Sequence, residues 1–340
     1  MYRAFGLYTH IRNNRLRTLY LLVAFVVLIH AVLFSLLLLY EAMAFGGSVE
    51  EIVAAARDEL KYAWPVAIVA CTVWFLIAWA FHQAMIDFAT RAAGIERQAE
   101  PRLYNLLENL CISRGLPMPR LKIIETDGLN AFAAGLRRRN YSIAVTRGLL
   151  RSLDDRELQA VLGHELTHIR NKDTQVMVVA AIFAGILAFV GDVMFRGIDF
   201  PFGYSPHRSR GPRREGRGGG AAIIVLLAIA VIAISWGASV LIRFAISRSR
   251  EYLADAGSVE LTKDPDAMIS ALRRIAANPE IAGMPTRMHA FFIESPAARP
   301  GSGWLSTHPS VEERVAALTK FAGGVDAPSA LAESPRGPWS

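Results

Sequence analysis

The sequence predicts a mainly α membrane protein with a small β-sheet and a metal-binding helix, on three observations. The composition is too apolar for an ordinary soluble chain. Of 340 residues, 53% are hydrophobic and 20% charged, and the mean hydropathy is +0.29. Four apolar runs, at 19–40, 64–85, 174–191 and 221–242, have about the length that crosses a bilayer. Third, His164-Glu165-Leu166-Thr167-His168 reads H-E-x-x-H inside a helical pattern at 153–169. The i, i+4 spacing puts both imidazoles on one helical face, as chelation of one Zn²⁺ requires, with Glu165 beside the first of them.

Residues 1–18 carry Arg3, Arg12, Arg15 and Arg17 and no acid, and read as a cytoplasmic N-terminus. The run at 19–40 is longer than a signal-peptide core of about 7–15 residues, so it is read as an uncleaved span. His30 lies within it and is read as a neutral, hydrogen-bonded side chain, with a functional role as the alternative. Residues 41–61 hold five carboxylates against Arg57 and Lys61 and read as an outside loop. The run at 64–85, with Trp64, Trp74 and Trp79, returns the chain to the cytoplasm, and 19–86 is expected to form two transmembrane helices.

Residues 87–173 read as the first part of a soluble domain. Pro101 opens a helix whose Leu103, Leu106, Leu107 and Leu110 share one face, and Gly115 with Pro117 ends it. Strands are expected at 121–124, 130–135 and 141–146, with a turn at Asp127-Gly128 and a polar turn at Arg137-Arg138-Arg139-Asn140. An edge strand of this sheet could hold an extended peptide by β-augmentation. The arginine turn reads as a solvated hairpin tip, or as a contact with anionic lipid headgroups. Residues 152–155 supply capping groups for the motif helix, and Gly163 suits close packing more than helix propensity.

Residues 174–242 are expected to form a hydrophobic hairpin interrupted by a basic insert at 196–220. That insert carries six arginines against Asp199 and Glu215. A fully spanning hairpin would place it outside, against the positive-inside rule, so the hairpin either stops short of crossing or is overruled by the first two spans. In both cases 243–320, the second part of the soluble domain, returns to the side of the motif helix. Residues 321–340, rich in Pro, Ala, Gly and Ser, read as a disordered tail.

A catalytic zinc site needs a third protein ligand and keeps one position open. Arg250-Glu251-Tyr252-Leu253-Ala254-Asp255 follows the hairpin, with Glu251 and Asp255 one helical turn apart. Glu251 suits a third ligand, and Asp255 could accept the outer N–H of a ligating histidine. A surface helix of alternating charge is the competing reading. His308 precedes the capping box Ser310/Glu313, where a histidine is ordinarily an exposed loop residue.

The H-E-x-x-H motif, the apolar hairpin and Arg250-Glu251-Tyr252-Leu253-Ala254-Asp255-Ala256 together resemble the HtpX-type membrane metalloproteases of bacteria. These are similar to the membrane-embedded CAAX prenyl proteases. Asn130-Ala131-Phe132-Ala133-Ala134-Gly135 and Ser306-Thr307-His308-Pro309 match two further segments of that family. The resemblance implies a zincin (gluzincin-like) catalytic domain attached to about four transmembrane or membrane-hairpin helices. It implies one Zn²⁺ per subunit held by His164, His168 and Glu251, with Glu165 as base and Asp255 behind a ligand. Asn130 is then at the substrate cleft as a second candidate, beside His308, to stabilise the oxyanion, and His308 is a donor to the transition state. The implied substrates are polypeptides, namely damaged or misassembled membrane proteins cut in cytoplasmic segments, and the implied location is a bacterial inner membrane. The insert at 196–220 departs from the pattern.

Other classes fit less well. A prenyl-protein peptidase needs a chamber built from more than four spans. A non-catalytic zinc scaffold would use four protein ligands and have no need of Glu165. A transporter would carry more ionisable residues and broken helices in its spans. No nucleic-acid motif is visible, and two isolated cysteines make neither a disulfide framework nor a metal site.

Overall fold

The structure, a computed structural model, describes residues 7–45, 47–182, 225, 227, 229, 248–279, 292–293 and 309–326. The chain divides into two compact units. One comprises Met1–Asn14, His82–Val178 and Arg243–Ser340, the other Arg15–Phe81 and Val179–Ile242.

The second unit is built on α1 (Leu7–Ala44) from Arg15 onward and on α2 (Val49–Thr90) as far as Phe81. Both are long and apolar enough to cross a membrane. Val66, Val69, Val73 and Ile77 point outward from α2, which suits a helix surrounded by lipid rather than by a protein core. The acidic stretch at 41–61, expected as a loop, is almost wholly helical. Residues 49–61 contain no glycine or proline and are rich in Ala and Glu, both good helix formers. Ser48 and Glu51 cap the start of α2 reciprocally, each backbone N–H donating to the other's side chain. Acids in a first turn also complement the helix dipole. Ile52 packs against Ala42. His30 donates Nδ1–H to the Val26 carbonyl at 2.7 Å and lies 5.7 Å from the Trp64 ring, so its polar edge is satisfied within the helix. Of the expected hairpin, only 174–182 and three isolated positions are described. The insert at 196–220 and nearly all of the fourth run lie outside the described residues, as does the tail beyond 326.

The first unit holds the sheet and the motif helix. After β1 (Ala93–Gly94) and α3 (Pro101–Arg114) come β2 (Arg120–Ile124), β3 (Ala131–Ala134) and β4 (Ser142–Thr146). The sheet order is β1-β2-β4-β3; β2 and β4 are parallel and the outer pairs antiparallel. Strand β1, two residues long, is too short to show any periodicity in the sequence. The β3–β4 turn is tight: Gly135 has φ +130°, and a Cβ there would collide with the backbone of Asn140. Then follow α4 (Arg147–Ser152) and the motif helix α5 (Asp155–Asn171). A capping box of Asp154 and Glu157 starts α5, and Lys172 in a left-handed conformation ends it. Helix α6 (Asp173–Ile182) begins at once. The second half contributes α7 (Arg248–Thr262), α8 (Pro265–Ala277) and α9 (Val311–Ala322).

Helix α5 lies at the centre of this unit, packed against β3, β4, α3, α7 and α8. Its approach to α7 is made close by small side chains. A Cβ on Gly163 would lie 3.1 Å from Ser258 Oγ, and one on Gly257 would strike the Thr167 side chain. The Ser258 hydroxyl donates to the Ala160 carbonyl at 2.5 Å. Gly163 therefore does what close packing requires of it. Replacing Gly257 by Val should force the two helices apart, at the overpacking cost of about 1–3 kcal/mol. We expect a lower unfolding temperature together with reduced bound metal, measured on the same purified sample.

Candidate metal centre

Helix α5 carries His164, Glu165 and His168, all buried. Helix α7 brings Glu251 to them. His164 Nε2 lies 3.6 Å from Glu251 Oε2, His168 Nε2 lies 3.7 Å from Glu251 Oε1, and the two Nε2 atoms are 3.1 Å apart. A tetrahedral zinc ion with bonds of about 2.0–2.1 Å holds its ligand atoms roughly 3.3–3.4 Å apart, and the three observed edges bracket that value. Two buried imidazole nitrogens facing each other at 3.1 Å also need a proton or a cation between them. The donor set therefore fits a bound metal ion, with N, N and O ligands on three corners and a fourth position not supplied by this triad.

Each imidazole is held from behind by a carboxylate. His164 Nδ1 is 2.9 Å from Asp255 Oδ1, and His168 Nδ1 is 3.1 Å from Asp173 Oδ2. These contacts put the ring proton on Nδ1 and leave the lone pair on Nε2, the atom that could hold a metal ion. Asp255 is in turn gripped by Arg314 of α9, through Nε at 2.9 Å and Nη2 at 2.5 Å, while Nη1 donates to the Ile293 carbonyl at 2.8 Å. Arg314 is wholly buried.

The electrostatics follow from this. Burial opposes the charge of Asp255, but Arg314 and His164 outweigh it and hold the carboxyl below its ordinary range. Burial likewise opposes protonation of His164, yet Asp255 and Glu251 dominate and its pKa is raised to about 9 in the metal-free cluster. That is the signature of a cavity that demands positive charge. Burial pushes the Glu165 carboxyl above its ordinary range, against the pull of His164, His168 and the Ala133 backbone.

The Ala133 contact ties Glu165 to β3, the edge of the sheet. Asn130 O accepts from Thr146 N–H, so residues 130, 132 and 134 point towards β4, while 131 and 133 point outward. At the outer edge Ala131 O accepts from Ile293 N–H, and Phe292 packs edge-on against Phe132 at 5.2 Å. Asn130, expected at the cleft, is fully buried at the head of this strand. Its Nδ2 donates to the Pro279 carbonyl at 3.2 Å and its Oδ1 accepts from Ala131 N–H. His308 lies outside the described residues.

Residues 97–322 match the sequence profile of Peptidase family M48. The chain belongs to peptidase family M48. Two relatives, both called Protease HtpX homolog, are similar over nearly their whole length. That from Bacteroides fragilis is 37% identical over 325 residues, 93% of this chain and 99% of the relative. That from Leuconostoc citreum is 32% identical over 316 residues, 93% and 100% respectively. The crystal structure of S. mikatae Ste24p is similar at 20% identity and TM-score 0.47, covering 77% of this chain and 60% of that one. The resemblance to HtpX-type metalloproteases therefore holds, and this M48 chain is a metallopeptidase.

Two residues of this M48 site escape a reading of the sequence. Asp173 looks like the polar end of a helix, because nothing local says that the turn at Lys172 points it back at His168. Arg314 looks like one charge in a surface helix, yet Val311, Val315 and Leu318 define the buried face of α9 and Arg314 falls on it. An arginine on an apolar stripe was the available signal. Replacing Asp173 by Asn, or Arg314 by Met, should weaken metal binding roughly 10–100-fold, the usual loss when a ligand's outer partner is removed. Titration against a competing chelator checks this, and wild-type affinity in both variants would contradict the assigned supports.

Proposed function

We propose that the chain is a membrane-anchored zinc endopeptidase that cuts cytoplasmic segments of misfolded or damaged membrane proteins. The observation that carries this reading is the triangle of ligand atoms from His164, His168 and Glu251, with Glu165 at its side. An N, N, O set on three tetrahedral corners suits Zn²⁺. A zinc ion bound there supplies Lewis acidity, polarising a carbonyl and lowering the pKa of a water towards about 7.

The protein's own groups do the rest. Glu165, fixed by the Ala133 N–H, takes a proton from the attacking water and later hands it to the leaving amine. Asp255 and Asp173 keep both imidazoles in the tautomer that presents Nε2. An extended substrate laid beside β3 passes over Glu165. Asn130 serves this reading by anchoring the head of β3. His308 enters on the resemblance alone, as a donor to the oxyanion, a role in which one well-aimed group contributes about 3 kcal/mol. The basic N-terminus and the acidic segment at 41–61 support an orientation with the catalytic unit in the cytoplasm of a bacterial cell.

Glu165→Gln should lower kcat roughly 10²–10⁴-fold while leaving metal content intact. Glu251→Ala should lose the metal. Casein cleavage with and without a chelator, with Zn²⁺ restored, and elemental analysis of each variant test the reading. Near wild-type turnover in Glu165→Gln would overturn it.

A further inference from the structure

Two apolar runs meet the same turn of the sheet. Gln83, near the end of the run at 64–85, donates from Nε2 to Ser142 Oγ at 3.1 Å. Ser142 is the first residue of β4 and stands opposite Ala134 and Arg120. Gln175, at the beginning of the run at 174–191, donates to the Leu136 carbonyl at 2.8 Å and contacts the Tyr141 hydroxyl at 3.1 Å. Beside Gln83, Asp87 pairs with the largely buried Lys122 of β2, so this end of α2 is fastened to the sheet. Between the two glutamine contacts lie Arg137, Arg138 and Arg139, all exposed, with Arg120 exposed on the neighbouring strand. The turn is compact: a Cβ at Gly135 would collide with the Asn140 backbone, and Arg138–Asn140 form a short 3-10 helix.

A glutamine at the end of an apolar run sits where hydrocarbon gives way to headgroups. Two such residues, from separate runs, contact the β3–β4 turn and the strand after it. We propose that the turn Arg137–Arg139, with Arg120, rests on anionic phospholipid headgroups and so makes the enzyme a cutter of juxtamembrane segments. This rests on the protease reading above. Ala133, whose N–H meets Glu165, is no more than three residues from Leu136, or roughly 10 Å of extended chain. The metal side agrees: Asp173, which holds His168, is two positions before Gln175. A substrate strand lying along β3 thus reaches the base within about three residues of the bilayer face. The residues nearest a substrate's own span are the ones offered for cleavage, while a distant cytoplasmic loop must fold back to reach the site.

The test uses the full-length enzyme in nanodiscs of neutral phosphatidylcholine, with or without phosphatidylglycerol. Hydrogen exchange over 136–142 should be slower in the anionic discs, and R137Q/R138Q/R139Q should abolish that difference. Equal exchange in both lipids for the wild type overturns the lipid contact. In the second arm, single-span substrates carry Gly/Ser insertions of increasing length between the span and a fixed cytoplasmic sequence. The cut mapped by mass spectrometry should stay at a constant offset from the span; a cut that travels with the fixed sequence overturns the distance rule. A basic residue at an anionic surface is worth about fivefold in preference. The triple variant should therefore lose an order of magnitude or more of span-substrate cleavage in anionic discs, yet cut casein in detergent at the wild-type rate. Loss of casein cleavage in the wild type itself would instead mean that the protease reading has failed.

Discussion

The close approach of α5 and α7 is the constraint on which the rest depends. Glycine and serine at the crossing let the helices come together, and the first turn of α7 then delivers Glu251 to the histidines of α5. With bulkier residues at Gly163 and Gly257 the same three ligands would exist and never meet. The metal centre is thus a product of helix packing, and the chemistry inherits its precision from atoms that have no chemistry of their own.

Charge is the second constraint. Glu165, Glu251, Asp255 and Asp173 are buried around two imidazoles, with Arg314 as their buried guanidinium. Carboxylates out of water are costly unless a cation or strong hydrogen bonds compensate them. Arg314 answers for Asp255, and the imidazole N–H groups answer for the outer faces of Asp255 and Asp173. The rest of the negative charge faces the centre of the ligand triangle, where a divalent ion belongs. Arg314 also links Asp255 to the sheet, because the Ile293 it holds is the residue bonded to the edge strand beside Glu165.

Much of this was legible in the residues. The H-E-x-x-H spacing, the capping box at Asp154, the three longer strands and the arginine turn all express local rules, and local rules survive in a single sequence. Glu251 and Asp255 could be named because their spacing of one turn repeats the logic of the histidine pair. The boundary of α2 was misjudged because charge was taken as a sign of a loop, whereas Glu50, Glu51 and Asp58 sit comfortably on an exposed helix next to alanines. Asp173 and Arg314 stayed hidden for another reason. Each acts across a tertiary contact, one through a left-handed turn at Lys172 and one through a helix packed from the far end of the chain, and neither geometry leaves a periodic trace.

The order of the ligands along the chain has a consequence for biosynthesis. His164, Glu165 and His168 leave the ribosome before the hydrophobic segment at 174–242, and Glu251 only after it. A nascent chain that ends before residue 251 therefore holds Glu165 and two imidazoles without the carboxylate that meets them. Arg314, which steadies the first histidine, arrives later still. The ligand triad is thus complete only once the chain has been made past Glu251, and its buried guanidinium support only past Arg314.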